Sequence, residues 1–401
     1  MPSQLARVLL AVGLLSPVAA IAQTIPRNQT VIGQLDSLSS KVLGESRRLL
    51  IYTPPSYHDT VYAPQRYPVL YLLDGDAHFH SVTGLIQILG TGVNGTFVVP
   101  EMIVVAIPNT DRTRDLTPSH RALDPEGKPA PFLKTSGGMG KFFDFIETEL
   151  IPKIESEFRT APFRVFVGHS LGGITTINAL YTRPQLFNAY LAIDPSLWWD
   201  DRLLLKQAKD IVSKPGLEGR ALYVAQANTI SPSDTTTKNT HFSSIVQFNS
   251  ILETYNRSGL RYAYKYYEQD DHGSVPLIAE YDALRFIFDG YKLELSRSLE
   301  EPDYVREHFQ QVSKIMGYRV NPPEGMLTLL GQVALMRDTT QAVRIFRMAT
   351  ELYPDRAGTH AALGEALLAK GEREAGIRAL DRALALDPNN ARAKAAREKV
   401  K

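Results

Sequence analysis

Residues Arg164-Val165-Phe166-Val167-Gly168-His169-Ser170-Leu171-Gly172-Gly173 decide the fold. An apolar run, a Gly-x-Ser-x-Gly core and the helical stretch Ile174 to Tyr181 read as strand, tight turn and helix. Such a turn pushes Ser170 into the open, and side chains at positions 168 and 172 would collide with neighbouring backbone. The helix that begins there aims its first N–H groups at the serine, which favours developing negative charge. A five-residue pattern of this kind also arises by chance; the strand before it and the helix after it make Ser170 a candidate nucleophile.

Working outward, short apolar runs recur at Leu49–Tyr52, Val69–Leu73, Met102–Ile107, Tyr190–Ile193, Ala221–Ala225 and Tyr262–Tyr267. Most are continuously apolar, as strands covered on both faces must be, while the first and last alternate like strands nearer an edge. Helical patterns lie between them, at Lys141 to Ile154, Phe242 to Tyr255 and Pro276 to Phe288. Strands alternating with helices imply crossovers and a mostly parallel sheet, so the fold class is α/β.

Beyond residue 325 the chain changes character: Ala and Leu dominate and the period is helical throughout. Phe346, Ala349, Leu352 and Pro354 recur 34 residues later as Leu380, Ala383, Leu386 and Pro388. That period resembles the tetratricopeptide repeat, here two repeats and a trailing basic helix. Two repeats alone rarely bury enough surface, so they are expected to pack on the α/β domain or on a second copy of the chain. At the other end, Arg7, the apolar run Val8–Leu15 and the exit Ala20-Ile21-Ala22 read as a secretory signal peptide, implying a periplasmic or secreted protein. The expected organisation is a signal peptide at 1–22, an α/β domain at 23–291, a helical linker at 292–325 and repeats at 326–401.

Composition narrows the function. The formal charge is +1 and 44% of residues are hydrophobic, so neither a nucleic-acid footprint nor stable membrane insertion is expected. Cysteine is absent, which excludes disulfides, thiolate metal sites and a thiol nucleophile. No histidine pair has the His-Glu-x-x-His spacing, and neither a metal nor a cofactor is expected.

A serine needs a base, which in this architecture comes late in the chain. His272 lies just beyond the Tyr262–Tyr267 run, where catalytic groups gather in open sheets. His78 and His80 fall in what reads as an early loop, His120 in a polar stretch, and His241 near a helix cap. For the acid, Asp234 in the loop after Ala221–Ala225 is the first choice; Asp194, Glu253 and a bare Ser–His pair remain open. Oxyanion donors are expected from Leu171 and from the loop Asp74-Gly75-Asp76-Ala77, through Asp76 or Ala77. Arg112 or Arg114 could clamp a substrate carboxylate or phenolate, or pair with Asp115 to hold its loop; Trp198 or Trp199 offers a flat wall.

Five motifs stand in order: Tyr71–Gly75, Ile107–Asp115, Gly168–Gly173, Pro195–Trp199 and Asp271–Pro276. Together they resemble the putative-esterase family of α/β-hydrolases, nearest its periplasmic siderophore-esterase-like branch. The resemblance implies an α/β-hydrolase fold over roughly 35–290, Ser170 and His272 as nucleophile and base, and a small-molecule ester as substrate. In that branch a Ser–His pair is thought to suffice, and Asp194 departs from a usual small polar residue. Acyl transfer through the same acyl-enzyme, or a vestigial hydrolase whose repeats (residues 326–401) bind a protein partner or self-associate, are the competing expectations.

Overall fold

Every residue of the strands Tyr67–Leu73, Ile103–Ile107, Ala189–Ile193 and Ala221–Ala227 is buried, so each side chain must meet a covering layer, and the two cores show how. The computed structural model describes residues 30–91, 97–123, 128–230, 239–301 and 303–400; the leader expected at 1–22 lies outside them. Of the two units into which the chain divides, Met1–Ile32 and Gly33–Lys401, the second holds every element below.

Eight strands form one sheet: β1 (Gln34–Ser40), β2 (Glu45–Tyr52), β3 (Tyr67–Leu73), β4 (Ile103–Ile107), β5 (Thr160–His169), β6 (Ala189–Ile193), β7 (Ala221–Ala227) and β8 (Arg261–Tyr267). Their spatial order is β1-β2-β4-β3-β5-β6-β7-β8. β1 and β2 run antiparallel, as do β2 and β4, and all other pairs are parallel. The strand order reverses between β3 and β5, and such a switch point opens a crevice at the carboxyl ends of the strands. Ser170 follows β5 there.

The chain's first helices are α1 (Gly75–Gly90), the single turn α2 (Arg112–Asp115), α3 (Met139–Phe145) and α4 (Ile151–Glu157), the last two joined by a π-turn at Ile146–Leu150. They are followed by α5 (Leu171–Thr182), α6 (Trp199–Val212), α7 (Thr240–Tyr255) and α8 (Val275–Ile287). One core sets Tyr71, Phe166 and Tyr190 against α3, α5 and α7; the other sets Leu70, Leu72 and Val167 against α1 and α8. Residues 75–90, expected as an early loop holding His78 and His80, are helical; with Gly75 and Asp76 opening it, the pattern of Phe79, Val82, Ile86 and Leu89 buries one stripe on the sheet.

Beyond α8 lie α9 (Leu295–Glu300), α10 (Tyr304–Met316), α11 (Glu324–Leu335), α12 (Thr339–Leu352), α13 (Ala357–Ala369), α14 (Arg373–Leu386) and α15 (Ala391–Glu398). The small residue of each first helix lets the paired helix come close. A Cβ on Gly331 would stand 2.4 Å from the Phe346 ring, and one on Gly364 would stand 2.7 Å from Leu380. Helix α10 works on both sides. Its Val312 and Met316 join the sheet's second core, whereas Tyr304, Val305 and Phe309 share a core with Leu327, Leu330 and Phe346 of the repeats. Buried Glu324 adds a polar tie, accepting the Ala63 N–H at 2.7 Å and pairing with Arg356 at 3.2 Å.

Candidate active site

Ser170 sits at φ 60°, ψ −113°, a conformation costly for any residue with a Cβ. Its N–H donates to the Ile193 carbonyl and its own carbonyl accepts from Ser196 N, so neighbouring loops hold the strain. A Cβ on Gly168 would lie 2.2 Å from the Gly172 carbonyl oxygen, which makes glycine obligatory there. At Gly172 the expected backbone collision is absent; a Cβ would meet the Asp74 carboxylate at 3.3 Å. The severe restriction falls one residue later, where a Cβ on Gly173 would come within 2.9 Å of Pro195. Ser170 Oγ lies 3.2 Å from the buried Ser196 hydroxyl.

His272 stands on the turn after β8. Asp271 shapes that turn by accepting the Gly273 and Ser274 N–H groups, both at 2.9 Å. The His272 side chain is 44% exposed, but Nδ1 meets Asp194 Oδ2 at 2.5 Å. Asp194 follows β6 directly, in the left-handed region at φ 39°, and its side chain has no exposed surface. Its Oδ1 accepts Ala227 N at 2.9 Å, and Oδ2 also faces His241 Nε2 at 2.9 Å. Burial works against the charge, yet the hydrogen bonds from His241 and His272 hold the carboxyl well below the usual carboxylate range. Asp194 is therefore an anion at neutral pH that can fix the tautomer and direction of His272.

Asp234 lies outside the described residues, and the partner of His272 Nδ1 is Asp194. Glu253 sits in the last turns of α7, whereas the α7 residue that reaches Asp194 is His241 in its first turn, not merely a cap-region neighbour. His169 packs its ring 4.4 Å from that of His272, and its buried Nε2 has no partner; burial, then His272 and His78, push it down to about 4. It stays neutral at pH 7 and adds no competing charge beside His272.

Helix α5 starts at Leu171, so that residue's N–H belongs to the first turn, which has no intrahelical acceptor. Across the switch point, Asp74 adopts the left-handed region, φ 51°, and opens α1 at Gly75. Ala77 N is taken by the Asp74 carbonyl, which removes Ala77 as an oxyanion donor and leaves Asp76. The Asp74 carboxylate is clamped by Arg112, Nε to Oδ1 at 2.6 Å and a second nitrogen to Oδ2 at 3.0 Å. Arg112 also donates to the His169 carbonyl, tying the two loops together. Arg114 is no free substrate clamp: it bonds Asp115 at 2.8 Å and grips Glu45 with both terminal nitrogens. Trp199 is core and donates to Ser119 at 3.1 Å, leaving half-buried Trp198 as the available flat face.

Among the described residues, Asp194, His241 and His272 form a group of three whose side-chain donor atoms all lie within 4.8 Å of one another. No helix among them is long and apolar enough to cross a membrane.

Comparison with known proteins relates the chain to esterases. The ferri-bacillibactin esterase of Bacillus subtilis is 36% identical over 158 residues, covering 37% of this chain and 55% of that protein. The siderophore enterobactin esterase of Emericella nidulans is 34% identical over 166 residues, covering 37% and 52%. The chain thus spans about half the length of the curated relatives it matches. A crystal structure of an IroE-like serine hydrolase from Shewanella oneidensis superposes with a TM-score of 0.71 at 33% identity, over 80% of this chain and 99% of that one. A tetratricopeptide repeat model matches residues 334–400. Because the family model described as Putative esterase matches residues 40–272, more than half of the sequence, the chain belongs to that family.

Proposed function

We propose that this protein hydrolyses carboxylic esters through an acyl-enzyme on Ser170, with His272 as base and Asp194 as the acid. The observation that carries the reading is the 2.5 Å contact between His272 Nδ1 and the buried Asp194 anion, beside a serine on a strained elbow. With Nδ1–H committed to Asp194, His272 Nε2 is left as the acceptor for the Ser170 proton. Ser170 Oγ attacks the ester carbonyl, and the oxyanion rests against the N–H groups of Leu171 and Asp76. Protonated His272 then gives its proton to the leaving alkoxide, and water, deprotonated by the same nitrogen, releases the acid.

The relatives' names favour esters of the siderophore type, and Trp198 offers a flat wall for an aryl or acyl group. Residues 7–22 support export to the periplasm or beyond. A panel of p-nitrophenyl esters, aryl esters and siderophore lactones, each with and without an added alcohol acceptor, tests the reading. Free acid as the main product supports it; acyl transfer to the alcohol as the main product would replace hydrolysis with transfer.

A further inference from the structure

Asp194 serves two imidazoles where the proposed chemistry needs one. His241 Nε2 and His272 Nδ1 approach the same carboxylate oxygen, at 2.9 and 2.5 Å, from α7 and from the turn after β8. The His241 side chain is 17% exposed and that of His272 44%, so the pair is open to solvent while the anion between them is fully buried. One carboxylate and two imidazoles form a donor set that suits Zn2+ and its neighbours among divalent transition metals, not Mg2+ or Ca2+.

We propose that Asp194, His241 and His272 form a binding site for a divalent transition-metal ion, and that the ion switches the hydrolase off. A tetrahedral ion about 2.1 Å from each donor holds neighbouring donors roughly 3.4 Å apart. The three donor atoms already lie within 4.8 Å of one another, so the two imidazoles close by at most about 1.4 Å while the 2.5 Å contact of His272 Nδ1 with Asp194 opens to admit the ion. Rotation of the exposed His272 ring supplies it, and water fills the remaining positions.

Inhibition follows from the tautomer, without blocking of the pocket. A neutral imidazole carries one proton and coordinates through its other nitrogen. With the metal on Nδ1, the His272 proton must sit on Nε2, the nitrogen that has to accept the Ser170 proton. His241 shifts its proton the opposite way, from Nε2 to Nδ1, through solvent. No net proton is lost, Asp194 gains a cation in place of two N–H donors, and the base is disabled while Ser170 stays in place.

The inhibition half of this proposal rests on the esterase reading; the binding half does not. The test is therefore calorimetric titration of zinc chloride into tag-free Ser170→Ala protein, beside zinc inhibition of p-nitrophenyl butyrate turnover by the unaltered protein. One ion should bind per chain, turnover should fall at least tenfold, and EDTA should restore it, with magnesium chloride inert. His241→Gln keeps an N–H donor where Nε2 stands but offers no imidazole, and it should weaken zinc binding at least tenfold; His241→Ala should do the same. Absence of stoichiometric binding to Ser170→Ala, or zinc affinity in both His241 variants equal to that of the protein with His241 intact, overturns the site. Zinc binding without loss of turnover overturns the switch. Binding in a protein that hydrolyses no ester leaves the site standing and removes the esterase reading.

Discussion

Asp194→Asn isolates the part of the site that orients the base. The carboxylate accepts Ala227 N at 2.9 Å, His241 Nε2 at 2.9 Å and His272 Nδ1 at 2.5 Å, with no exposed surface. Asparagine fills the same volume, but it is neutral and one of its two terminal atoms is itself a donor. With the amide oxygen kept on Ala227, the NH2 group faces two imidazoles. His272 can then meet it only by presenting an unprotonated Nδ1, which puts the proton on Nε2 and disables proton abstraction. Loss of the tautomer together with the charge is expected to lower kcat on the order of 10³- to 10⁴-fold, about 4–5.5 kcal/mol, with KM changed far less. The assay is steady-state hydrolysis of p-nitrophenyl butyrate, with near-ultraviolet circular dichroism to verify folding. Asp234→Asn, run alongside, should stay within a few-fold of the unaltered protein. A folded Asp194→Asn enzyme within tenfold of normal, or a 10³-fold loss in Asp234→Asn, would refute this assignment.

Gly168→Ala should cost several kcal/mol in chemical denaturation, because its Cβ would lie 2.2 Å from a backbone oxygen; Gly140→Ala, with nothing within 4 Å, should instead stabilise α3 by about 0.5–1 kcal/mol. Equal midpoints for the two variants would contradict the steric account. Glu280 on α8 is lifted by burial from 4.5 to about 8, with only Ser81 donating to it at 3.4 Å. Between those pH values the unfolded chain gives up a proton that the native protein keeps, so this residue's contribution to stability falls by ~3 kcal/mol from pH 4.5 to 7. Glu280→Gln should therefore flatten that slope and melt higher than the unaltered protein at pH 7.5; parallel melting curves across the range would count against it. Glu324→Ala strips Ala63 N and Arg356 of their buried acceptor and should cost about 1–3 kcal/mol, with kcat/KM for a small ester unchanged. A drop in kcat/KM at an unchanged melting temperature would instead mean that the repeats help shape the active site.

The buried centre of the sheet was legible because burial on both faces leaves a mark in composition: Tyr71, Val105, Phe166 and Leu191 stand in runs that fit no surface element. Strand β1, Gln-Leu-Asp-Ser-Leu-Ser-Ser, pairs only with β2 and is largely exposed, so its residues resemble those of a loop. Helix α1 was hidden because its first turn opens on Gly75, where a Cβ would stand 2.9 Å from the Ile107 nitrogen of β4, and carries polar residues beyond it. The proposed nucleophile and base carry local signatures, a glycine-flanked serine and a histidine just past the last strand. The proposed acid carries none, since such a role depends on β6 lying next to β5 and on the turn after β8 reaching back over β7. Only the unusual Asp at position 194 hinted at it. His241 was read as a cap-region residue because one-dimensional spacing says nothing about a contact with residue 194 across two loops. The arginines show the opposite case: Arg114 had the right chemistry for a clamp, but Glu45 and Asp115 had already engaged it.

Whether Ser170 is an activated nucleophile decides the account most directly, and a fluorophosphonate probe reads that property without knowledge of the natural ester. Intact-protein mass after labelling, followed by peptide mapping, should show one phosphonyl group per chain on Ser170, none in Ser170→Ala, and labelling slowed at least a hundredfold in His272→Ala. An unlabelled native protein, a label on another serine, or an undiminished rate in His272→Ala would contradict it.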